Sequence, residues 1–272
     1  MLYSPILSFF KLIVLVIWTT CISFLQAITS SISDKFFFFF YSLLFSGLTK
    51  IFGVKLKKSG EQKEKKVLFV SNHISYLDIL ILGSVVRGVF VAKSEIRNWP
   101  IINRLCLLGK TIFIERFNPR SVKKQMNLIE KTMMKGFNVI LFPEGTSSDG
   151  SKVLNFKSSL FKIIDSHELI DYSIQPISIS YNKLDGVPLD KTFRPFLAWF
   201  GSMDLISHAW KLMGLGVTEV NIHFHDPKPF KYFRDRKHAS LYCFDLISNK
   251  VIDSSRSLEI DDKMKLNEFK FL

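Results

Sequence analysis

A histidine and an aspartate stand five positions apart, directly after the short apolar run VLFVS at residues 67–71. Asn72 and His73 open this block, and Asp78 closes it. If a turn separates a strand from a helix here, Asp78 can fold back and hold one imidazole nitrogen of His73. The other nitrogen then stays free to accept a proton, which is how a general base is oriented. The alternative is a helix N-cap formed by Asn72 or Ser75, with His73 incidental.

Two further polar clusters follow apolar runs in the same way. Arg116 comes directly after TIFIE, where a guanidinium suits bidentate binding of a phosphate. The alternative is a surface arginine paired with Glu115. After NVILF comes a tight loop in which Glu144, Gly145 and Thr146 offer amides and a hydroxyl to an oxyanion or a substrate hydroxyl. The alternative there is a plain turn.

A sheet has to position these clusters, and the rest of the pattern predicts one. Short β-rich runs alternate with helix-length segments, which indicates the α/β class with a mostly parallel central sheet flanked by helices. Ligands of such sheets lie beyond the carboxyl ends of the strands, so we expect the three clusters to meet at one edge. The predicted strands are 67–71, 88–93, 111–115, 138–142, 172–180 and 217–225, and the predicted helices are 77–86, 94–108, 119–135 and 236–257.

The N-terminal segment is predicted to be a helical membrane anchor. No charge occurs from Leu12 to Ser33, a length that suffices to cross hydrocarbon, and no clear cleavage site supports the alternative of a signal peptide. The uncharged run from Phe36 to Thr49 is shorter and is expected to be interfacial or re-entrant. Lysines clustered between residues 50 and 66 mark the cytoplasmic side or form a solvated linker. The predicted units are the anchor 1–58, the catalytic domain 59–260 and a tail 261–272.

Composition narrows the classes of function. Lys and Arg number 37 against 24 Asp and Glu, and the formal charge of +13 suits nucleic acid, an anionic membrane or a phosphorylated substrate. Nucleic acid is disfavoured because no helix-turn-helix or aromatic RNA-binding signature occurs. His223 and His225 share a strand face, but no carboxylate motif completes a metal site. The three scattered cysteines give neither a disulfide framework nor a zinc spacing.

In their order along the chain, these blocks resemble the glycerolipid acyltransferase family, the membrane-associated 1-acylglycerol-3-phosphate acyltransferases. The resemblance covers roughly residues 67–180 and is specific as an ordered combination. Many members carry Arg after Glu-Gly-Thr, whereas this chain has Ser147. The matching blocks are Asn-His-x4-Asp at 72–78, Phe-Ile-x-Arg at 113–116, Phe-Pro-Glu-Gly-Thr at 142–146 and the looser Ile-Gln-Pro-Ile at 174–177.

The resemblance implies acyl transfer from a thioester to the free hydroxyl of a lysolipid. The expected acceptor is 1-acylglycerol-3-phosphate, which would give phosphatidic acid. Since Ser147 replaces an arginine, lyso-ornithine lipid or another phosphate-free lysolipid is the alternative acceptor. The implied catalytic residues are His73 and Asp78, and the implied substrate-binding residues are Asn72, Arg116, Glu144, Gly145 and Thr146.

The same resemblance implies the partners and the location of the protein. We expect no cofactor and no metal, with acyl-CoA or acyl carrier protein as the acyl donor. A non-catalytic membrane scaffold is the rival class, but it would have no need of His73, Asp78 and Glu144 together. The expected partners are the lysophospholipid acceptor, the acyl donor and an anionic membrane surface, without nucleic acid. The expected location is the cytoplasmic membrane, with the catalytic domain facing the cytoplasm.

Overall fold

A mixed sheet covered by helices forms the centre of the molecule. The computed structural model describes residues 3–30, 32–115, 119–189 and 193–269, with side chains outside 119–124 and 257–269. The helices in this part are α1 Pro5–Thr29, α2 Asp34–Ile51, α3 Leu77–Val85, α4 Pro100–Leu108, α5 Pro119–Met134, α6 Leu205–Met213 and α7 Arg236–Phe269. The strands are β1 Val54–Ser59, β2 Val67–Ser71, β3 Gly88–Lys93, β4 Ile112–Ile114, β5 Asn138–Leu141, β6 Ser173–Leu184, β7 Val187–Pro188, β8 Thr218–Phe224 and β9 Lys228–Pro229.

The strand order confirms the predicted mostly parallel α/β sheet. The main path runs β1-β8-β6-β2-β5-β3-β4, with the short strands β7 and β9 paired to β6. Parallel pairing joins β6, β2, β5, β3 and β4, and also β1 and β8. The pairs that β6 makes with β8, β7 and β9 are antiparallel. Every residue of β2 and of β5 is buried, as expected for central strands that carry helices on both faces.

Strand β1 is the element that the sequence analysis missed. Its sequence VKLKKS buries Val54 and exposes Lys55, Lys57 and Lys58 at the edge of the sheet. Lysines on an edge strand discourage pairing with another chain, so their exposure is compatible with a strand as well as with the linker that we expected. The predicted boundary after residue 58 therefore falls inside β1.

Two helices differ from their predicted bounds. The segment expected as one helix over 94–108 is a 3₁₀ helix, Ser94–Asn98, followed by α4. Pro100 stands at the start of α4, where its fixed φ and missing N–H are tolerated, so the α-helix begins there. Helix α7 continues to Phe269 and so includes much of the segment that was expected to be a tail.

The two N-terminal helices form an antiparallel-type pair against the sheet and its helices, with α2 in contact with both α1 and α3. Among the described helices, α1 alone is long and apolar enough to cross a membrane, with a mean hydropathy of 2.1. The phenylalanine-rich run is part of the regular helix α2. A stripe along α2 is buried at the helical spacing, which fixes its inner face. The residues of this stripe are Phe37, Tyr41, Leu44 and Leu48.

Helix α1 is hydrogen-bonded to the globular part near both of its ends. Near its start, the Ser8 hydroxyl donates to the carbonyl of Trp210 at 2.9 Å, and the Lys11 ammonium donates to the carbonyl of Leu215 at 3.0 Å. Near its end, the Gln26 amide donates to the carbonyl of Leu108 at 3.4 Å. Because both ends are held, α1 lies along the domain, and its outward face exposes apolar side chains. Among these are Ile6, Phe9, Phe10, Ile17 and Phe24.

Candidate functional site

The candidate site lies where two neighbouring strands, β2 and β5, end side by side. The loop that leaves β2 carries the histidine block, residues 72–78, and leads into α3. The loop that leaves β5 begins at Phe142. The parallel pairing of the two strands puts both loops at the same edge of the sheet, as the sequence analysis expected for strand-end clusters.

His73 and Asp78 meet across the turn that the spacing predicts. Nδ1 of His73 lies 2.9 Å from Oδ2 of Asp78, whose side chain is fully buried. The amides of Ile74 and Ser75 donate to the same oxygen at 2.6 and 2.8 Å. Since an ionised carboxylate only accepts hydrogen bonds, this contact assigns the imidazole proton to Nδ1. Nε2 has no hydrogen-bond partner among the described residues and can accept a proton.

The imidazole is also fixed by an aromatic stack. The His73 ring lies against the Phe142 ring, with centroids 4.1 Å apart and an angle of 19° between the planes. Phe142 in turn stacks on Phe90, with centroids 6.2 Å apart and an interplanar angle of 8°. The stack restricts rotation of the imidazole, so that its reactive nitrogen keeps one direction.

Glu144 holds the backbone of the histidine block. Its Oε1 accepts from the amide of His73 at 2.6 Å, and its Oε2 accepts from the amide of Leu154 at 2.8 Å. The amide of Ser148 donates to the carbonyl of His73 at 2.9 Å, so the second loop binds both backbone groups of His73. Burial raises the pKa of the Glu144 carboxyl to about 8, although the two backbone hydrogen bonds act to lower it. Both carboxyl oxygens are therefore used inside the protein.

Asn72 is placed in the same internal role. It is buried, its Nδ2 donates to the carbonyl of Ile179 at 2.9 Å, and its Oδ1 accepts from the amide of Ile179 at 2.9 Å. The side-chain amide thus pairs with β6 as a peptide group would. Binding of substrate by Asn72 and Glu144 stays a prediction, and the contacts in the structure describe both as supports of His73.

The turn after Glu144 requires a glycine. Gly145 has φ +75°, and a Cβ at this position would lie 2.9 Å from Nζ of Lys157. Lys157 therefore places an ammonium beside the Gly145 turn, a cation that no sequence motif indicated. Thr146 is exposed at this turn, whereas the Ser147 hydroxyl donates to the carbonyl of Trp199. Arg116 lies outside the described residues, and its role stays a prediction.

An apolar cavity of about 250 Å³ lies beside the site, enclosed by α2, α3, β3 and α4. Phe90 lines this cavity and also belongs to the stack that holds His73, which joins the two places. Tyr76, three residues after His73, lines it as well. Its other large lining side chains include Tyr41, Phe45, Leu105 and Trp199.

The two strand histidines are occupied by serines. The Ser59 hydroxyl lies 2.9 Å from Nδ1 of His223, and the Ser178 hydroxyl lies 2.8 Å from Nε2 of His225. Burial, followed by the neighbouring charges of His223 and Lys250, lowers the pKa of His225 to about 4. Within the described ranges, no group of three or more His, Cys, Asp or Glu side chains is arranged to hold a metal ion.

Comparison with known proteins gives consistent relatives. The model of the Acyltransferase family matches residues 54–180. A lyso-ornithine lipid O-acyltransferase of Rhizobium meliloti (strain 1021) is 35% identical over 76% of this chain and 72% of the relative. The Brucella abortus (strain 2308) protein of the same name is 33% identical over 70% of this chain and 73% of the relative.

More distant relatives carry a different acceptor in their names. A 1-acyl-sn-glycerol-3-phosphate acyltransferase of Neisseria gonorrhoeae is 27% identical over 63% of this chain and 64% of the relative. The crystal structure of the 1-acyl-sn-glycerophosphate acyltransferase of Thermotoga maritima matches with a TM-score of 0.67 over 91% of this chain and 94% of that chain. At 20% sequence identity, this last likeness concerns the fold.

Proposed function

Since this chain belongs to the acyltransferase family, we propose that it transfers an acyl group from a thioester to the hydroxyl of a lyso-ornithine lipid. The observation that carries the proposal is the contact of 2.9 Å between Nδ1 of His73 and the buried carboxylate of Asp78. It leaves Nε2 of His73 as the base, and a positioned histidine contributes about 10²- to 10⁴-fold to a rate.

The transfer proceeds by direct attack. As the acceptor oxygen bonds to the thioester carbonyl carbon, Nε2 of His73 takes the hydroxyl proton and the carbonyl electrons move onto oxygen. Backbone amides around Gly145 stabilise this oxyanion, and Asp78 stabilises the imidazolium. When the tetrahedral intermediate collapses, the C–S bond breaks and the thiolate leaves with the proton from His73. The products are an ester and a free thiol.

Two observations favour the phosphate-free acceptor over the 1-acylglycerol-3-phosphate that the resemblance implied. The lyso-ornithine relatives are 33–35% identical to this chain, against 27% for the glycerophosphate relative from Neisseria gonorrhoeae. Ser147 carries no charge, and its hydroxyl is engaged by Trp199. Lys157 offers a single ammonium beside Gly145, which suits the carboxylate of an ornithine headgroup. 1-Acylglycerol-3-phosphate is the second candidate, favoured by the predicted phosphate contact of Arg116.

The donor is acyl-CoA or acyl carrier protein, and we place its acyl chain in the apolar cavity beside the Phe90 stack. A cavity of about 250 Å³ with mostly apolar walls suits a hydrocarbon chain and excludes water from it. Its link to His73 through Phe90 and Phe142 brings the thioester carbon toward Nε2.

We infer that the enzyme works at the surface of the cytoplasmic membrane, with the catalytic domain on the cytoplasmic side. The exposed apolar face of α1 supports insertion into lipid, and the contacts at both ends of α1 keep the domain against that surface. The edge lysines Lys55, Lys57 and Lys58 add attraction to anionic headgroups.

The test is a comparison of acceptors with purified full-length protein in detergent micelles. Release of free thiol is measured with acyl-CoA and with acyl carrier protein, each with lyso-ornithine lipid and with lysophosphatidic acid. We expect kcat/KM for lyso-ornithine lipid to be at least about tenfold higher, a difference of about 1.4 kcal/mol. The His73→Ala variant is the blank. Preference for lysophosphatidic acid would overturn the acceptor, and absence of thiol release in every combination would overturn acyl transfer.

A further inference from the structure

Tyr181 in β6 touches the side of Asp78 that His73 does not use. Its hydroxyl donates to Oδ1 of Asp78 at 2.7 Å, whereas His73 and two backbone amides contact Oδ2. We propose that Tyr181 is a positioning residue that sets the basicity of His73 by sharing the charge of Asp78. The proposal rests on the proposed role of His73 as the base.

The two oxygens of Asp78 explain how such a tyrosine acts. A hydrogen bond to an ionised carboxylate draws negative charge toward the donor and weakens the carboxylate as an acceptor elsewhere. With Tyr181 in place, part of the charge of Asp78 is held at Oδ1, and less of it attracts the Nδ1 proton of His73. Without the hydroxyl, Oδ1 loses the one side-chain donor described for it, and Oδ2 attracts the imidazole more strongly.

Tyr181 itself remains a neutral donor throughout an assay. Burial, and then the charge of Asp78, raises the pKa of its hydroxyl well above 10. The other described titratable groups that face this pair are Tyr76 and Glu144. Burial raises the pKa of Tyr76 above its ordinary value as well. Glu144, with a pKa of about 8, titrates in the assay range, but it does so in the wild type and in a Tyr181 variant alike.

The kinetic test uses Tyr181→Phe, which removes the hydroxyl and keeps the ring. We expect the acid limb of the kcat profile to move to higher pH by up to about one unit, which is about a tenfold loss of rate on that limb and little loss on the plateau. The KM for lysolipid should stay unchanged. A loss of rate that is equal at every pH would overturn the proposal, because it would describe a merely structural tyrosine.

The matched control is Tyr172→Phe. The Tyr172 hydroxyl donates to the carbonyl of Met133, also at 2.7 Å, on the far side of the sheet's first strand pair from the dyad. Its removal should lower Tm by a comparable amount and leave the pH profile in place. If Tyr172→Phe shifts the profile as much as Tyr181→Phe does, the effect comes from general loosening and the proposal is wrong.

A measurement without substrate separates this proposal from the proposed function. Protein labelled with ¹³C at the histidine Cε1 position gives an NMR titration for each imidazole, and the His73 signal is assigned by its absence in His73→Asn. We expect the titration midpoint of this signal to rise in Tyr181→Phe, whether or not a lysolipid is acylated. An unchanged midpoint overturns the role of Tyr181, whereas acyl transfer itself is judged only in the acceptor assay.

Discussion

The loops that follow β2 and β5 each bury one carboxyl group within reach of His73, but the two groups do different work. Asp78 accepts from a reactive imidazole, from two amides and from the Tyr181 hydroxyl. Glu144 accepts only backbone amides among the described contacts, one of them from His73 itself. Asp78 thus acts on the imidazole ring, and Glu144 acts on the chain that carries the ring.

This difference teaches that the number and kind of donors decide what a buried carboxyl group does. Asp78 faces four donors, which together keep a charge in a fully buried place. Glu144 faces two, and burial prevails, so that its pKa rises to about 8. The pair can be separated by experiment because the charge matters at Asp78 and the shape matters at Glu144.

The largest effect is expected from Asp78→Asn. The amide keeps the size of the side chain but cannot hold the Nδ1 proton of His73 as a carboxylate does, so kcat should fall by about 10²- to 10⁴-fold. His73→Ala should lose as much in the same thiol-release assay, and the double variant should lose no more than either single variant, because the two residues act as a unit. Asp78→Asn activity above a tenth of the wild type would contradict this account.

A smaller effect on rate is expected from Glu144→Gln. The new NH₂ group faces an amide donor, either that of His73 or that of Leu154, and an unpaired buried donor costs about 1–3 kcal/mol of unfolding free energy. Thermal unfolding should therefore move clearly, while kcat falls by no more than about tenfold. Glu219→Gln is the control, since this glutamate pairs with the exposed Lys57 and should change neither quantity. A loss of kcat equal to that of Asp78→Asn would place Glu144 in the chemistry.

The smallest effect is a pH dependence of stability. Glu144 has a raised pKa in the folded protein, about 8 against 4.5 for an exposed glutamate. The folded state therefore keeps a proton that the unfolded state releases, and stability declines as pH rises from about 4.5 to about 8. Denaturant unfolding at several pH values should show a steeper decline in the wild type than in Glu144→Gln. Parallel curves for the two proteins would disagree with a buried, protonated Glu144.

The parts of the fold that follow strong apolar runs were accessible from the sequence. The runs at 67–71 and 138–142 are β2 and β5, because continuous apolar strands can only be central in a sheet. Strand β1 was not accessible in this way, since its lysines read as a solvated linker until a neighbouring strand, β8, is present to pair with. The break before α4 depends on Pro100, which the sequence displays but a helix of 94–108 ignored.

For the site, spacing within one loop was informative and contacts between distant segments were not. The five-residue step from His73 to Asp78 can close within a single turn, and the structure places the two side chains together. Tyr181 and Lys157 lie far along the chain from the residues that they face, and nothing in their local sequence indicates a partner. The same limit applied to Asn72, whose block predicted contact with substrate and whose amide is taken up by Ile179.

The pairing of the Asn72 side chain with Ile179 bears on the order in which the enzyme matures. Asn72 and Ile179 are 107 positions apart, and Asp78 and Tyr181 are 103 apart, so both supports close very long loops. Contacts of such separation form late in folding and during synthesis require that the ribosome has already released β6. A nascent or truncated chain that ends before β6 would hold the complete histidine block and still lack an ordered base. The hydrolysis or misdirected transfer of thioesters by unfinished chains is thereby avoided without any separate inhibitory segment.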